Sequence, residues 1–311
     1  EFKKLMESLN GRYSGIGLSV QASKEGYIKA VSVFDNSPAK EAGIEPGDYI
    51  TKVNGKAYGA SQLEEAVAEI KGEPGTEVTL TILRTEEGKT DSKEFDIKVS
   101  RADVSVDTID DDILEIRDKK IGYIHIKAFD DITWQDFSDS YSKLMAQDID
   151  GLVLDVRNNP GGALDVVINI ADNFLDEGVI VTTKDKNGKE VVEKSDASAS
   201  DIPMVILQNE NSASASEILA GAMKDRGRAK VIGTQSFGKG VVQKVFNLEN
   251  GAGAKITISE YFTPNGTQIN KVGVTPDIEV SSDEDLDLSK MDFKNDKQFV
   301  TALNELLKEL E

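Results

Sequence analysis

The sequence predicts an α/β protein of two units, a β-rich one near the N-terminus and a larger one in which strands and helices alternate. Three observations carry this. The chain has 311 residues, more than a single compact core usually holds. Residues 13–101 consist of short β-type runs with one amphipathic helix. From Ile121 onward, apolar runs of strand length alternate with helical stretches, the pattern of a mainly parallel sheet covered by helices.

Taken in order, residues 1–12 read as the end of a helix that belongs to the larger unit. Phe2, Leu5, Met6 and Leu9 fall on one face, and Asn10-Gly11 stops it. Within 13–101, strands are expected at 17–20, 28–33, 49–53 and 78–83. A helix is expected at 61–70, with Leu63, Ala66, Val67 and Ile70 on its apolar face and Lys71-Gly72-Glu73-Pro74-Gly75 after it. Residues 102–120 read as a connector bearing an acidic patch, Asp110-Asp111-Asp112, and open the larger unit, 102–311. There, strand 121–126 precedes helix 134–147, and strand 151–156 precedes a turn and helix 165–174. Strands 179–183 and 191–193 form a hairpin about Asn187-Gly188, and strand 204–207 leads to helix 214–224. Helix 296–310 is amphipathic through Phe299, Leu303, Leu306, Leu307 and Leu310.

Composition removes several function classes. A net charge of −20 and a pI near 4.6 give a surface that repels nucleic acid and anionic lipid, and the charge reads chiefly as a solubility device. With no cysteine, disulfides, thiolate catalysis and zinc–thiolate sites are excluded. The single histidine, His125, sits in the apolar run Ile121-Gly122-Tyr123-Ile124-His125-Ile126 and reads as structural, which argues against Ser-His-Asp catalysis. No stretch reaches the roughly 18 apolar residues of a membrane span. The chain starts in mid-pattern, without Met, so a preceding anchor is compatible with it.

Near the N-terminus, Gly15-Ile16-Gly17-Leu18 can form a turn whose backbone N–H groups converge on an anion, followed by a strand whose edge can accept an extended peptide. Leu63 and Val67 on the following helix would wall such a groove. Alone, the glycines could simply make turns. Together with Ser37-Pro38-Ala39 and Ala42-Gly43-Ile44-Glu45-Pro46-Gly47-Asp48-Tyr49-Ile50, the segment resembles a PDZ domain in the strand order common in bacterial proteases. The resemblance makes Gly15, Ile16, Gly17, Leu18, Leu63 and Val67 the expected peptide-binding residues.

Two later segments carry chemistry. Asn211-Ser212-Ala213-Ser214-Ala215-Ser216-Glu217 lies where a strand gives way to a helix. A serine at that helix N-terminus meets orphan N–H groups and the positive end of the dipole, which suits an oxyanion. By composition alone the segment reads rather as a Ser/Ala linker with an ordinary N-cap serine. Thr234-Gln235-Ser236-Phe237-Gly238-Lys239-Gly240-Val241-Val242-Gln243 sets a lysine between glycines. A lysine acting as base needs desolvation, which Phe237 and Val241 could supply. The segment does not fit a phosphate loop, since Gly240 follows the lysine.

These segments resemble peptidase family S41, the carboxyl-terminal processing and tail-specific proteases. That family carries a Ser-Ala-Ser-Glu segment and then Gly-Lys-Gly-x-x-x-Gln. Lys239 follows Ser214 by 25 residues, the family spacing, which selects Ser214 over Ser212 and Ser216. The likeness extends through Leu152-Val153-Leu154-Asp155-Val156-Arg157-Asn158-Asn159-Pro160-Gly161-Gly162, Asp225-Arg226-Gly227-Arg228-Ala229, Tyr261-Phe262-Thr263-Pro264-Asn265-Gly266 and Gly273-Val274-Thr275-Pro276-Asp277.

The resemblance implies a crotonase/ClpP-like α/β protease core with an inserted β-rich PDZ domain. It implies a Ser214–Lys239 dyad assisted by Gln243. It also implies an oxyanion hole built from the Ala215 N–H and one N–H of Gly161 or Gly162. Neither cofactor nor metal is called for. Expected substrates are proteins or peptides with free apolar C-termini, held by the PDZ groove, which could also gate the site. An extracytoplasmic location follows from the same resemblance, and the amphipathic terminal segments are candidate homodimer contacts. The rival readings are a PDZ scaffold on a latent or inactive core and an acyl-CoA hydratase, whose core also uses a Gly-Gly turn.

Overall fold

The computed structural model describes residues 12–34, 36–85, 92–105, 107–247, 253–281, 288 and 293–311. The helix expected at the N-terminus lies outside them, save Arg12, which opens a strand. Contacts divide the chain into two compact units that meet in sequence between Asp107 and Thr108.

In the first unit, β1 (Arg12–Gly15) pairs antiparallel with β8 (Ala102–Ser105). That pairing carries residues 102–105 into this unit, whereas the sequence suggested a boundary at 101. The main sheet is antiparallel and runs β2 (Leu18–Ala22), β3 (Ile28–Val33), β4 (Tyr49–Val53), β6 (Glu77–Thr85), β7 (Ser92–Ser100), with β5 (Lys56–Ala57) beside β4. Helix α1 (Pro38–Glu41) starts at an N-cap, Ser37, whose hydroxyl accepts from the Lys40 N–H at 3.3 Å. Helix α2 (Leu63–Ile70) buries Ala66 and Ile70 against Ile28, Ile50, Val53, Val78, Leu80 and Ile82. Each fully buried Ile, Leu or Val contributes about 1.5–3 kcal/mol relative to exposure.

The second unit is built on a six-stranded sheet in the order β18 (Ile278–Glu279), β15 (Lys230–Gly233), β14 (Met204–Gln208), β11 (Gly151–Asp155), β10 (Lys119–Ile126), β9 (Ile109–Ile116). All its pairings are parallel except β9 with β10. Helices α3 (Thr133–Met145), α4 (Leu164–Asp172) and α5 (Ala215–Asp225) share one core with Leu152, Leu154, Met204 and Ile206. Helix α6 (Lys297–Glu309) shares another with Val153, Val205, Leu207 and Ile232. The two-residue alternation along each strand thus sends successive side chains to opposite faces, and both faces are covered, as a parallel sheet requires. A smaller antiparallel sheet runs β13 (Glu190–Ser195), β12 (Gly178–Asp185), β17 (Gly253–Phe262), β16 (Val241–Asn247).

The connector expected at 102–120 is therefore corrected to strands. Its acidic patch lies on β9, where Lys127 Nζ donates to Asp110 at 2.8 Å and Ser140 Oγ to Asp111 at 2.7 Å. Partners distant in sequence, Lys127 for Asp110 and Ser140 and Lys143 for Asp111, satisfy the carboxylates that made it read as a loop.

Candidate active site

Ser214 sits at the N-cap of α5 with φ 55° and ψ −111°, a conformation that L-residues rarely adopt. Such a strand-to-helix turn thrusts the side chain outward. The two neighbouring serines are consumed by structure. Ser212 Oγ donates to the Val156 carbonyl at 2.8 Å and Ser216 Oγ to the Asn159 carbonyl at 3.0 Å, and both residues are buried. Ser214 alone of the three is partly exposed. Ala215 is the first residue of α5, so its N–H belongs to the orphan donors of a helix start.

Glu217, fully buried, joins the two chemical segments. Its carboxylate accepts from Ser214 N–H at 2.8 Å, Ser236 Oγ at 2.6 Å, Gly238 N–H at 2.6 Å and Lys239 N–H at 2.8 Å. Four donors match the four lone-pair sites of a carboxylate. In the sequence Glu217 stands only as part of a motif. Its signal was the capping-box spacing, a serine with a glutamate three positions later, and the longer reach to Lys239 has no local signature.

The lysine segment lies against residues 269–273. Lys271 N–H donates to the Gly238 carbonyl at 2.7 Å, and a Cβ on Gly240 would fall 2.1 Å from Asn270 N. Only glycine tolerates that approach. Gly238, at φ 86°, and Gly240 are buried, whereas Phe237 and Lys239 lie on the surface, Phe237 65% exposed. The desolvated lysine expected from sequence is thus corrected. Among the described residues it is the backbone N–H of Lys239, not its ammonium, that is tied into the site. Gln243 lies on β16 opposite Thr257, exposed, at a bulge between Val242 and Gln243. No hydrogen bond draws it to Lys239 among the described residues.

The Gly-Gly turn follows β11. Gly161 has φ 101°, and a Cβ there would fall 2.7 Å from Ser214 Cβ and 3.0 Å from Ala215 N. Gly162 lies against Phe129, whose carbonyl would be 2.1 Å from an added Cβ. The turn therefore passes directly beside the Ser214 segment.

Beneath it lies a buried ionic cluster. Arg157 donates to Asp155 from Nε (2.9 Å to Oδ2) and Nη2 (2.6 Å), and pairs with Asp296 at 2.7 Å. Tyr123 OH donates to Asp155 at 2.9 Å. Burial works to raise the Asp155 pKa, but the Arg157 charge and hydrogen bonds bring it below the usual carboxylate value. His125 is on β10, its Nε2 3.1 Å from the Arg157 carbonyl and its Nδ1 3.7 Å from Asp110 Oδ2, as its structural reading anticipated.

In the first unit, Gly15, Ile16, Gly17, Leu18 and Val67 line a groove of about 350 Å³ together with Ile70 and Lys71. Gly17, at φ +78°, is required there, since a Cβ would lie 2.2 Å from Ser37 Cβ. Leu63 differs from expectation. It packs at the start of α2 against the domain core, and the groove takes Ile70, two turns on, in its place.

The sequence matches the family model for peptidase family S41 over residues 120–280 and that for a PDZ domain over 30–84. It is 40% identical over 293 residues to a carboxy-terminal-processing protease of Bartonella bacilliformis, covering 89% of this chain and 64% of that one. It is 37% identical over 308 residues to the carboxyl-terminal-processing protease of a Picosynechococcus species, covering 98% and 73%. Among solved structures, the photosystem II D1 C-terminal processing protease aligns with a TM-score of 0.56 at 29% identity, covering 89% of this chain and 75% of that one.

Proposed function

Because this chain belongs to peptidase family S41, we propose that it is a serine endopeptidase that grips a substrate's C-terminus in its PDZ groove and cuts upstream with a Ser214–Lys239 dyad. The observation that carries the reading is the Ser214 turn: a strained, partly exposed serine at a helix start, flanked by serines already committed to carbonyls and tied through Glu217 to the lysine segment.

In this reading neutral Lys239 removes the Ser214 hydroxyl proton as Oγ attacks the scissile carbonyl carbon. The carbonyl oxygen gains the negative charge and is held by the Ala215 N–H and an N–H of the Gly161–Gly162 turn, each donor worth about 3 kcal/mol. The lysinium gives its proton to the leaving amine as the C–N bond breaks. Water, deprotonated by the same lysine, then hydrolyses the ester and restores Ser214. Gln243 orients the lysine. Since Lys239 is exposed, its amine must shed water before it can act as the neutral base. The apolar groove, lined by Ile16, Leu18, Val67 and Ile70, fits an apolar C-terminal residue and raises the concentration of the upstream bond near the site. Extracytoplasmic placement belongs to the same proposal. The described residues contain no helix long and apolar enough to cross a membrane.

The test is incubation with a loosely folded polypeptide ending in apolar residues, beside Ser214→Ala and Lys239→Ala, with products read by mass spectrometry. Internal cuts by the parent and a loss of at least ~10³-fold in both variants are expected. Equal cleavage by Ser214→Ala would overturn the dyad. The exposed lysine also favours a second reading, a latent core awaiting its ligand, which predicts cleavage only after a C-terminal peptide is added.

A further inference from the structure

Asn159 lies in the turn after β11 and is fully buried. Its side chain makes two opposed bonds. Nδ2 donates to the Ile126 carbonyl at 2.8 Å, and Oδ1 accepts from the Gly161 N–H at 2.8 Å. A carbonyl can only accept and an N–H only donate, so the two partners fix which way the amide points. The Asn159 backbone carbonyl meanwhile accepts from the Ala213 N–H and from Ser216 Oγ, both at 3.0 Å, on either side of Ser214.

These contacts distinguish the two glycines. The Gly161 N–H is engaged by Asn159, whereas the Gly161 carbonyl accepts from the Phe129 N–H at 3.1 Å. Across a trans peptide the C=O and the next N–H point in opposite directions, so the Gly162 N–H faces away from Phe129. The face of Gly161 where a Cβ would stand abuts Ser214 and Ala215 N, so no side chain separates this peptide from the Ala215 N–H.

We infer that Asn159 is a positioning residue: its side chain withdraws the Gly161 N–H from oxyanion binding and leaves the Gly162 N–H as partner to Ala215, while its carbonyl holds that turn in register with the nucleophile segment. The inference rests on the protease reading above and adds to it which glycine serves and what aims it. Donors act on an oxyanion in proportion to how well they are aimed before the charge develops. Asn159 acts on the turn and touches no substrate, so its loss falls on the transition state rather than on ground-state binding.

The experiment compares the parent, Asn159→Leu, Asn159→Asp and Ser214→Ala. Asn159→Leu fills the space with neither bond. Asn159→Asp keeps the Gly161 acceptor and, when its carboxyl is protonated, can also donate to Ile126. Three quantities are read: kcat and KM on the unstructured substrate across pH, thermal unfolding, and hydrogen exchange at the Gly161 amide by NMR. Asn159→Leu should fold, exchange the Gly161 amide faster, and lose about 10²–10³-fold in kcat with KM within about threefold. Asn159→Asp, expressed as a ratio to the parent at each pH, should recover activity as pH falls, which a purely structural site would not produce. Parent-like kcat in Asn159→Leu overturns the proposal. So does an unchanged Gly161 exchange rate, even if activity falls. If the parent and Ser214→Ala both fail to cut while Gly161 exchange rises in Asn159→Leu, the turn-fixing role stands and the protease reading is what falls. Should Asn159→Leu not fold, the pH recovery of Asn159→Asp decides, and a flat ratio overturns the proposal.

Discussion

Ser214 holds a backbone conformation that costs an L-residue about 1–3 kcal/mol, and it persists because Glu217 captures its N–H while α5 fixes the residues that follow. The same carboxylate receives the N–H groups of Gly238 and Lys239, so the Ser214 and Lys239 segments share one buried acceptor. Glu217→Gln keeps the volume but replaces two acceptor sites with an NH2 that faces N–H donors. We expect a loss of about 2–4 kcal/mol of stability and at least a tenfold fall in kcat with KM nearly unchanged. Denaturant unfolding and steady-state kinetics check both, and a parent-like kcat would contradict the coupling of the two segments.

At the scale of elements, Arg157 binds the end of β11 to the start of α6. It pairs with Asp155 on the strand and with Asp296, which itself caps α6 by accepting from the Phe299 N–H at 3.0 Å. Arg157→Met leaves two buried carboxylates without their cation. A destabilisation of about 3–5 kcal/mol is expected, visible as a lower urea midpoint that partly recovers at acidic pH, where the carboxylates protonate. A midpoint equal to the parent's would show that the cluster holds nothing together. The strands and helices around it were legible because the sheet is covered on both faces, so its strands are nearly continuous apolar runs. Strand β9 was not legible, because Asp110 and Asp111 find Lys127, Ser140 and Lys143 only in three dimensions.

At the scale of the molecule, a net charge of −20 surrounds a core with a single histidine, and that histidine faces acceptors. Burial would lower the His125 pKa, but the Asp110 hydrogen bond, the Asp155 charge and the Arg157 carbonyl outweigh it and raise the value above 6.5. Lys127 beside Asp110 tempers the effect without reversing it. A group whose folded pKa is raised favours the folded state most when protonated in both states. The contribution is therefore full below about pH 6.5 and disappears as pH climbs through the folded value. The lone imidazole resonance should titrate above its ordinary value, and unfolding midpoints should fall as pH rises above about 6.5. An imidazole titrating at or below its ordinary value would refute this. The two-unit organisation, with the groove in one unit and the serine in the other, was likewise readable from the sequence, because glycine turns and strand–helix alternation are local patterns.

The sequence by itself determined the α/β class, the two units, most strands and helices, the S41 likeness and the serine–lysine spacing. Each of these depends on residue type and short-range period, which a chain displays without folding. Only the tertiary structure decided that Ser212 and Ser216 are spent on carbonyls, that Glu217 links two segments, that Asn159 occupies the Gly161 N–H, that Ile70 rather than Leu63 lines the groove, and that Lys239 lies exposed. Hydrogen-bond partners and burial are set by residues distant in sequence, and a linear pattern carries no record of which atoms will meet.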